Sequence, residues 1–244
     1  MEKIRLAKYF TDCGIMSRRA AESEIALGHI TVNKKVAGIG EKIDPENDII
    51  EYKGKVIKPS GEEKICIMLN KPRGIVCSAS DEKHRTCVTE LCSDIKQRLY
   101  PVGRLDMDSD GMLLLTNDGE LANILTHPRH GIPKTYSVQI QGKLSDEEIS
   151  RLGEPLLLDG RLTMQVATKR MKKLPHDSSD DITTVLFKLY EGRNRQIRRM
   201  CEAHGVKIIR LTRVAIGNLK LGDLPSGKWR RLSQEEINYL KKSG

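Results

Sequence analysis

A charged segment with glycine and proline divides this chain of 244 residues into two unequal parts. Residues 53–64 contain Gly54, Pro59, Ser60 and Gly61 among lysines and glutamates, a composition typical of a linker. We therefore expect a small domain over residues 1–58, a linker over 59–64 and a larger domain over 65–244. The small domain would be marginally stable by itself, because a chain of that length buries little apolar surface.

The N-terminal part combines two helical patterns with short strand patterns. Ser17 is a good N-cap for the second helix, and Gly14 and Gly28 end the two helices. The predicted elements are helices over 4–12 and 17–28 and strands over 29–33, 36–37 and 48–52.

The larger part does not alternate strands and helices regularly. This favours an α+β fold with a mostly antiparallel sheet. Ser145 and Ser233 each precede a glutamate by three residues and so predict capping boxes that begin helices. The polar segment 172–181 is expected to be mobile, and 117–119 to form a hairpin or turn. The predicted strands are 65–69, its continuation 75–77, 112–115, 134–140, 165–167, 183–190 and 207–211.

The charge distribution points to a polyanionic partner. Residues 192–231 contain eleven Lys and Arg against two acids, a net charge of +9 that equals the net charge of the whole chain. Such a block favours nucleic acid. Aromatic residues make up only 4%, which argues against an open stacking platform for single strands. No apolar run approaches the ~20 residues of a membrane span, and no signal peptide is visible, so we expect a cytoplasmic protein without membrane association.

The cysteines do not indicate a metal site. There is no C-x-x-C motif and no histidine pair at zinc spacing. We expect six reduced cysteines that serve in packing. They are Cys13, Cys66, Cys77, Cys87, Cys92 and Cys201.

An acidic segment admits several interpretations. Asp106, Asp108 and Asp110 match the opening of a calcium-binding EF-hand loop, but the twelfth position is Asn117 and a strand pattern intervenes. In a strand all three carboxylates would point to the same side, so a magnesium-dependent nuclease remains an alternative function. The simplest interpretation of Asp108 and Asp110 is a solvated turn. Asp106 differs from them because of the motif in which it lies.

Three motifs carry a resemblance. They are Gly103-Arg104-Leu105-Asp106, Lys134-Thr135-Tyr136 and the run from Glu191 to Met200. Together they resemble the RsuA-type family of ribosomal RNA pseudouridine synthases, and are most similar to its large-subunit members, the RluB and RluF types. The resemblance implies that Asp106 is the essential catalytic residue, that Tyr136 stacks on the uracil and assists removal of the C5 proton, and that Arg198 pairs with Asp106.

The chemistry of that family suits these residue types. Pseudouridine forms when the N1–C1′ bond breaks, the base rotates and C5 joins C1′, with no redox change. The reaction implies no cofactor and no metal. It needs an ionised carboxylate that acts as a nucleophile or as a base at C2′, and a guanidinium can keep a buried carboxylate charged. The target uridine must leave its stack, and Arg104 is placed to contact its strand.

The helix pattern after residue 192 separates two faces. Arg195, Arg198, Arg199 and Glu202 form a polar stripe, and Ile197, Met200, Cys201 and His204 form an apolar one. The resemblance gives Arg198 the catalytic role. We expect Arg193, Arg195 and Arg199 to contact phosphates.

Residues 4–52 resemble an S4 RNA-binding domain. The matching runs are Arg5–Tyr9, Gly14–Ala21 and Gly28–Asn33. Two arginines would lie at a helix N-terminus, where free backbone N–H groups favour phosphate. The implied RNA contacts are Arg5, Lys8, Arg18, Arg19 and Asn33.

The prediction is a monomeric, cofactor-free enzyme that acts on a uridine of structured ribosomal RNA. Large-subunit RNA is the favoured target, with small-subunit and transfer RNA as alternatives. A different class stays open, namely a non-catalytic S4 RNA-binding or ribosome-assembly protein. Such a protein would need the basic surfaces but not Asp106, Tyr136 and Arg198 together.

Overall fold

A computed structural model describes residues 3–59, 61, 63–79, 81, 83–171 and 181–243. Its contacts divide the chain into two compact units. The first comprises Met1–Lys64, Ile95–Arg98 and Asn117–Gly119, and the second comprises Ile65–Asp94, Leu99–Thr116 and Glu120–Gly244.

The first unit is built from short elements around a small apolar core. They are β1 (Ile4–Arg5), α1 (Leu6–Asp12), α2 (Arg18–Ala26), β2 (Ile30–Val32), β3 (Lys35–Val36), β4 (Lys42–Ile43), β5 (Ile50–Tyr52) and β6 (Lys55–Ile57). β3, β2, β5 and β6 form an antiparallel sheet in that order, and β1 pairs with β4. The core includes Leu6, Phe10, Ile30, Ile43 and Ile50.

Both predicted helices of this unit are confirmed. The Ser17 hydroxyl accepts a hydrogen bond of 3.1 Å from the Ala20 amide, as an N-cap should. Strand β6 was not expected, because Gly54 was interpreted as part of a linker. Lys53 and Gly54 have positive φ and join paired Tyr52 and Lys55, which makes a two-residue hairpin turn.

The rest of the chain forms a larger set of elements. They are β7 (Cys66–Lys71), β8 (Tyr100–Val102), β9 (Asp110–Thr116), α3 (Gly119–Thr126), β10 (Lys134–Gln141), α4 (Asp146–Arg151), β11 (Leu157–Leu158), β12 (Arg161–Leu162), β13 (Ala167–Arg170), β14 (Ile182–Leu189), α5 (Gln196–Ala203), β15 (Ile208–Ile216), β16 (Leu219–Lys220), β17 (Trp229–Arg231) and α6 (Gln234–Lys242).

Most of these strands form one sheet of nine. Its order is β13-β14-β10-β15-β9-β7-β17, with β16 on β15 and β8 on β9. Of its ladders between described strands, only the one joining β15 and β9 is parallel. The predicted α+β class with a mostly antiparallel sheet is therefore confirmed.

Two apolar clusters pack around this sheet. One joins β7 and β9 to α3 and α6 through residues such as Met68, Leu114, Leu121 and Leu240. The other joins β10, β14 and α5, and Phe187 is completely buried in it. Every residue of β9 is buried, which fixes the strand that follows the acidic segment.

Some local expectations were right and others wrong. Both capping boxes are present, at Ser145 and Ser233. No strand occupies 75–77, where Val76 makes only an isolated bridge to Cys87. The expected turn at 117–119 leads instead into α3. The segment expected to be mobile lies, except for Asp181, outside the described residues.

All six cysteines are free and buried, as predicted. Among the described helices none is both long enough and apolar enough to cross a membrane.

Candidate active site

Asp106 lies on the loop that connects two antiparallel neighbours of the large sheet. β8 ends at Val102 and β9 begins at Asp110, so residues 103–109 make the connection. The Ser109 amide donates to the Asp106 carbonyl at 3.1 Å and closes a turn. The Asp106 side chain remains 34% exposed, so its carboxylate is accessible.

A buried lysine holds this loop from inside. Lys71 is fully buried, and its Nζ donates to the carbonyls of Pro72 (3.0 Å), Asp106 (3.2 Å) and Ser109 (2.9 Å). Burial lowers the pKa of Lys71. Three carbonyl acceptors satisfy the three donors of an ammonium group. Sequence reasoning missed this role, although a cation directly after the apolar run of β7 was a signal.

The arginine beside the Asp106 carboxylate is Arg195. Its Nη1 lies 3.5 Å from Oδ2 of Asp106. The same guanidinium donates to both carboxylate oxygens of Asp108, at 3.3 and 3.1 Å. Burial would raise the pKa of Asp108, but hydrogen bonds from Arg195 and the nearby arginine charges lower it.

The predicted direct pair between Arg198 and Asp106 is wrong in this structure. Nη2 of Arg198 donates to the Asp108 carbonyl at 3.0 Å and to the Ser109 hydroxyl at 3.2 Å. Arg195 precedes α5 in the left-handed region (φ 48°), whereas Arg198 lies one turn further along and is mostly buried. Arg198 therefore binds the backbone of the loop and also lies 3.2 Å from the Asp108 carboxylate, whereas Arg195 reaches the Asp106 carboxylate.

Asp110 is not a residue of a solvated turn, contrary to expectation. It is buried, and its carboxylate accepts hydrogen bonds from Thr212 Oγ1 at 2.5 Å and Arg210 Nε at 2.8 Å. Both partners lie on β15, which runs parallel to β9 at this point. The sequence could not show this pairing, because the partners are about a hundred residues away. No group of three His, Cys, Asp or Glu side chains suited to a metal occurs within the described ranges.

The start of β9 also requires glycine. Gly111 has φ 102°, and a Cβ atom there would lie 2.4 Å from the Arg213 carbonyl oxygen. β9 and β15 can approach this closely only because Gly111 has no side chain.

A cavity of about 300 Å³ opens beside Asp106. Tyr136, which lies on β10 between Arg213 of β15 and Phe187 of β14, shares it with Asp106. The structure thus brings two of the three predicted catalytic residues to one cavity, and Arg198 contacts the loop without lining that cavity. The lining residues are 103–106, Ser109, Tyr136, Leu189, 191–197 and Leu211.

Two of the arginines expected to contact phosphate are instead bound to other groups of the protein. Arg193 donates to the carbonyls of Leu158 (3.2 Å), Arg161 (2.7 Å) and Leu162. It also pairs with Glu191 at 3.1 Å. Its guanidinium is therefore a structural brace, which corrects the expectation for Arg193.

Arg199 donates to both carboxylate oxygens of Asp159, at 2.9 and 3.1 Å. Of the four arginines expected at this RNA surface, Arg104 has its side chain exposed at the cavity. Arg195 is shared between two aspartates. Sequence reasoning could not identify these partners, because none of the acids is adjacent in sequence to its arginine.

Further cations near the site were also missed. Arg213 is buried, and its Nε donates to the Met112 carbonyl at 2.7 Å. Lys134 donates to the carbonyls of Leu125 and Ile132 at 3.1 and 2.7 Å. Burial, with a smaller contribution from Arg213, lowers the pKa of Lys134 to about 8.

Some of the residues that are predicted to contact RNA are exposed on the first unit. Arg5, Arg18 and Arg19 are exposed, and Lys8 pairs with Asp12 at 2.5 Å. The expectation for Asn33 is corrected. Its amide donates to Asp48 at 2.8 Å and accepts from the Ile49 amide at 2.9 Å, so its polar atoms hold a turn with φ 51°.

Comparison with known proteins identifies the larger unit. A family model described as RNA pseudouridylate synthase matches residues 65–203. The chain is 40% identical to ribosomal large subunit pseudouridine synthase B of Bacillus subtilis, over 97% of this chain and 95% of the relative. It is 37% identical to an uncharacterized RNA pseudouridine synthase of Aquifex aeolicus, over 100% and 96%.

A third relative, the dual-specificity RNA pseudouridine synthase RluF of Escherichia coli K12, is 35% identical over 98% of this chain and 79% of the relative. Among solved structures, a crystal structure of a pseudouridylate synthase superposes with a TM-score of 0.66 at 29% identity, covering 97% of this chain and 99% of that one. The resemblance seen in the motifs is thereby confirmed. The chain belongs to the RNA pseudouridylate synthase family of enzymes.

Proposed function

We propose that this enzyme isomerises a uridine of large-subunit ribosomal RNA to pseudouridine, with Asp106 as its catalytic residue. The proposal rests on the different contacts of the three neighbouring acids, Asp106, Asp108 and Asp110. Asp108 and Asp110 are engaged by arginine and threonine donors and do not line the cavity, whereas Asp106 lines it together with Tyr136. Asp106 is therefore the acid that can reach a nucleotide.

The geometry supports a carboxylate that is charged and held in position. Arg195 stabilises the negative charge of Asp106 across 3.5 Å, and Lys71 fixes the backbone on either side of the loop. Asp106 then attacks C1′ or removes the C2′ proton of the nucleotide. Tyr136 contacts the base and assists proton removal at C5. The reaction uses no cofactor.

The uridine enters the cavity after it has flipped out of its stack in the RNA. Flipping costs a few kcal/mol and is cheapest in irregular RNA such as a loop. Arg104, exposed at the cavity rim, contacts the target strand. The Bacillus subtilis relative, whose name specifies the large ribosomal subunit, supports a large-subunit target. A non-catalytic S4-type protein is not favoured, because the family model spans the region that includes Asp106, Tyr136 and Arg198.

The first unit serves as an S4-type RNA-binding domain within residues 1–58. The exposure of Arg5, Arg18 and Arg19 supports this role. Arg18 begins α2 and Arg19 follows it, where the helix N-terminus itself attracts phosphate. These contacts hold a structured stem-loop without specifying sequence. The enzyme works as a monomer.

The test compares Asp106→Asn with Asp223→Asn, which removes one exposed carboxylate elsewhere in the same unit. Each protein is incubated with large-subunit, small-subunit and transfer RNA transcripts, and pseudouridines are mapped. We expect Asp106→Asn to abolish isomerisation while RNA affinity stays within a few fold, and the control to remain active on large-subunit RNA. Turnover by Asp106→Asn near the wild-type rate would exclude the catalytic role, and modification of another RNA alone would exclude the target.

A further inference from the structure

A hairpin beside the active-site cavity presents apolar side chains to solvent. β11 and β12 pair across Asp159 and Gly160, both with positive φ, and Leu157 lies directly opposite Leu162. Leu157 is 64% exposed and Leu162 is 65% exposed. Met164, two residues further on, is 55% exposed. We call Leu157, Leu162 and Met164 the apolar ledge.

The ledge is held in place by residues of the cavity wall. Arg193 donates to three carbonyls of the hairpin, and the Met164 amide donates to Glu191 at 2.8 Å. Arg193 and Glu191 both line the cavity. At the turn, Asp159 is bound by Arg199 of α5. The ledge is thus a fixed extension of the cavity rim.

Its surroundings suit a polyanion. The two acids that contact the hairpin, Glu191 and Asp159, are each ion-paired with an arginine. Arg161, on the hairpin itself, is exposed. An apolar surface beside the exposed guanidinium of Arg161 matches unstacked nucleobases on a phosphate backbone better than it matches a purely apolar partner.

We propose that the apolar ledge packs against the nucleobases that flank the flipped uridine. Resting on the proposed function, this inference adds a surface that recognises the RNA beside the reacting nucleotide. When a base leaves its stack, its neighbours lose a stacking contact. Leucine and methionine side chains can replace such contacts, as apolar wedges do where proteins unstack bases. The ledge adjoins Glu191 and Arg193, two residues that line the cavity which the uridine would enter.

The test uses the full chain with Leu157→Ser and Leu162→Ser combined. The matched control combines Leu27→Ser and Ile39→Ser, which removes two apolar side chains that are 66% and 72% exposed in the first unit. The probe is the large-subunit RNA stem-loop that the wild-type protein binds most tightly. A series of the same probe carries one abasic nucleotide at each loop position in turn.

We expect the ledge variant to bind the intact probe about tenfold more weakly, with an unchanged dependence on salt because no charge is lost. At an abasic position next to the target, wild type and variant should bind alike, because the base that the ledge contacts is missing. The control should bind like wild type. Circular dichroism spectra and unfolding temperatures establish that both variants are folded.

Equal binding of the intact probe by wild type and the ledge variant would overturn the proposal. A loss that persists at every abasic position would also overturn it, because the ledge would then contact no base. Failure of the proposed function appears separately, as absence of pseudouridine in the probe after incubation with the wild-type protein. The binding comparison tests whether the ledge contacts a base, whether or not the wild-type protein modifies the probe.

Discussion

Replacing Arg195 by methionine should slow the reaction without abolishing it. The charges of Arg195 and Asp106 are 3.5 Å apart, and an effective dielectric constant of about 20 would give an attraction of about 5 kcal/mol. The two side chains are 44% and 34% exposed, so solvent reduces this to about 1–2 kcal/mol. The expected loss in rate is therefore about 5- to 30-fold.

Arg198→Met should lower the reaction rate more than Arg195→Met does, although Arg195 is the arginine that lies beside the Asp106 carboxylate. It removes hydrogen bonds to the Asp108 carbonyl and the Ser109 hydroxyl, and only 15% of the Arg198 side chain is exposed. Losing these bonds releases the turn that carries Asp106. We expect a rate loss of about 100-fold, because small displacements of a catalytic group have effects of that order.

Arg199→Met is the matched control, because it removes the same charge from the same helix while its partner is Asp159 on the hairpin. The assay is the single-turnover rate at saturating enzyme, with RNA affinity measured at several salt concentrations. Arg199→Met should stay within about threefold of wild type in rate and should lose little RNA affinity, because the charge of Arg199 is paired with Asp159. A rate loss in Arg199→Met equal to that in Arg195→Met would refute the assignment of Arg195 to Asp106.

Two further predictions concern charge. Burial lowers the pKa of Lys134 to about 8. The unfolded chain therefore binds more protons than the folded chain between about pH 8 and pH 10.5. Across that interval the free energy of unfolding of wild type, relative to that of Lys134→Met, should rise by about 1–2 kcal/mol. Urea unfolding of both proteins at several pH values measures this, and a difference independent of pH would contradict it. Combined Arg18→Ala and Arg19→Ala should weaken binding to structured RNA about tenfold, as measured by filter binding, while Lys241→Ala with Lys242→Ala, an equal loss of charge, should not.

The sequence predicted those parts of the fold that depend on neighbouring residues. Ser17, Ser145 and Ser233 begin helices because their hydroxyls bond to amides three residues on. The errors came where distant pairing decides. Lys55–Ile57 is a strand because β5 lies beside it, and 75–77 is not, because no strand of the sheet pairs with it.

The same distinction applies to the site. The motif resemblance predicted Asp106 and Tyr136, and both line one cavity. It could not predict which arginine meets which acid, because the side chains come from different strands and helices. Arg195 and Arg198 are three positions apart, yet Arg195 lies beside the Asp106 carboxylate, whereas Arg198 binds Asp108 and Ser109.

The basic block at 192–231 shows how ion pairs between distant residues affect RNA binding. Its net charge of +9 suggested many phosphate contacts. In the fold, six of its arginines pair with acids, and all of those acids lie outside the block. They are Arg193, Arg195, Arg198, Arg199, Arg210 and Arg230. Each such pair contributes little net field to an approaching phosphate. Phosphate contacts are therefore better sought among exposed arginines that lie outside this block, such as Arg104 at the cavity and Arg18 and Arg19 on the first unit.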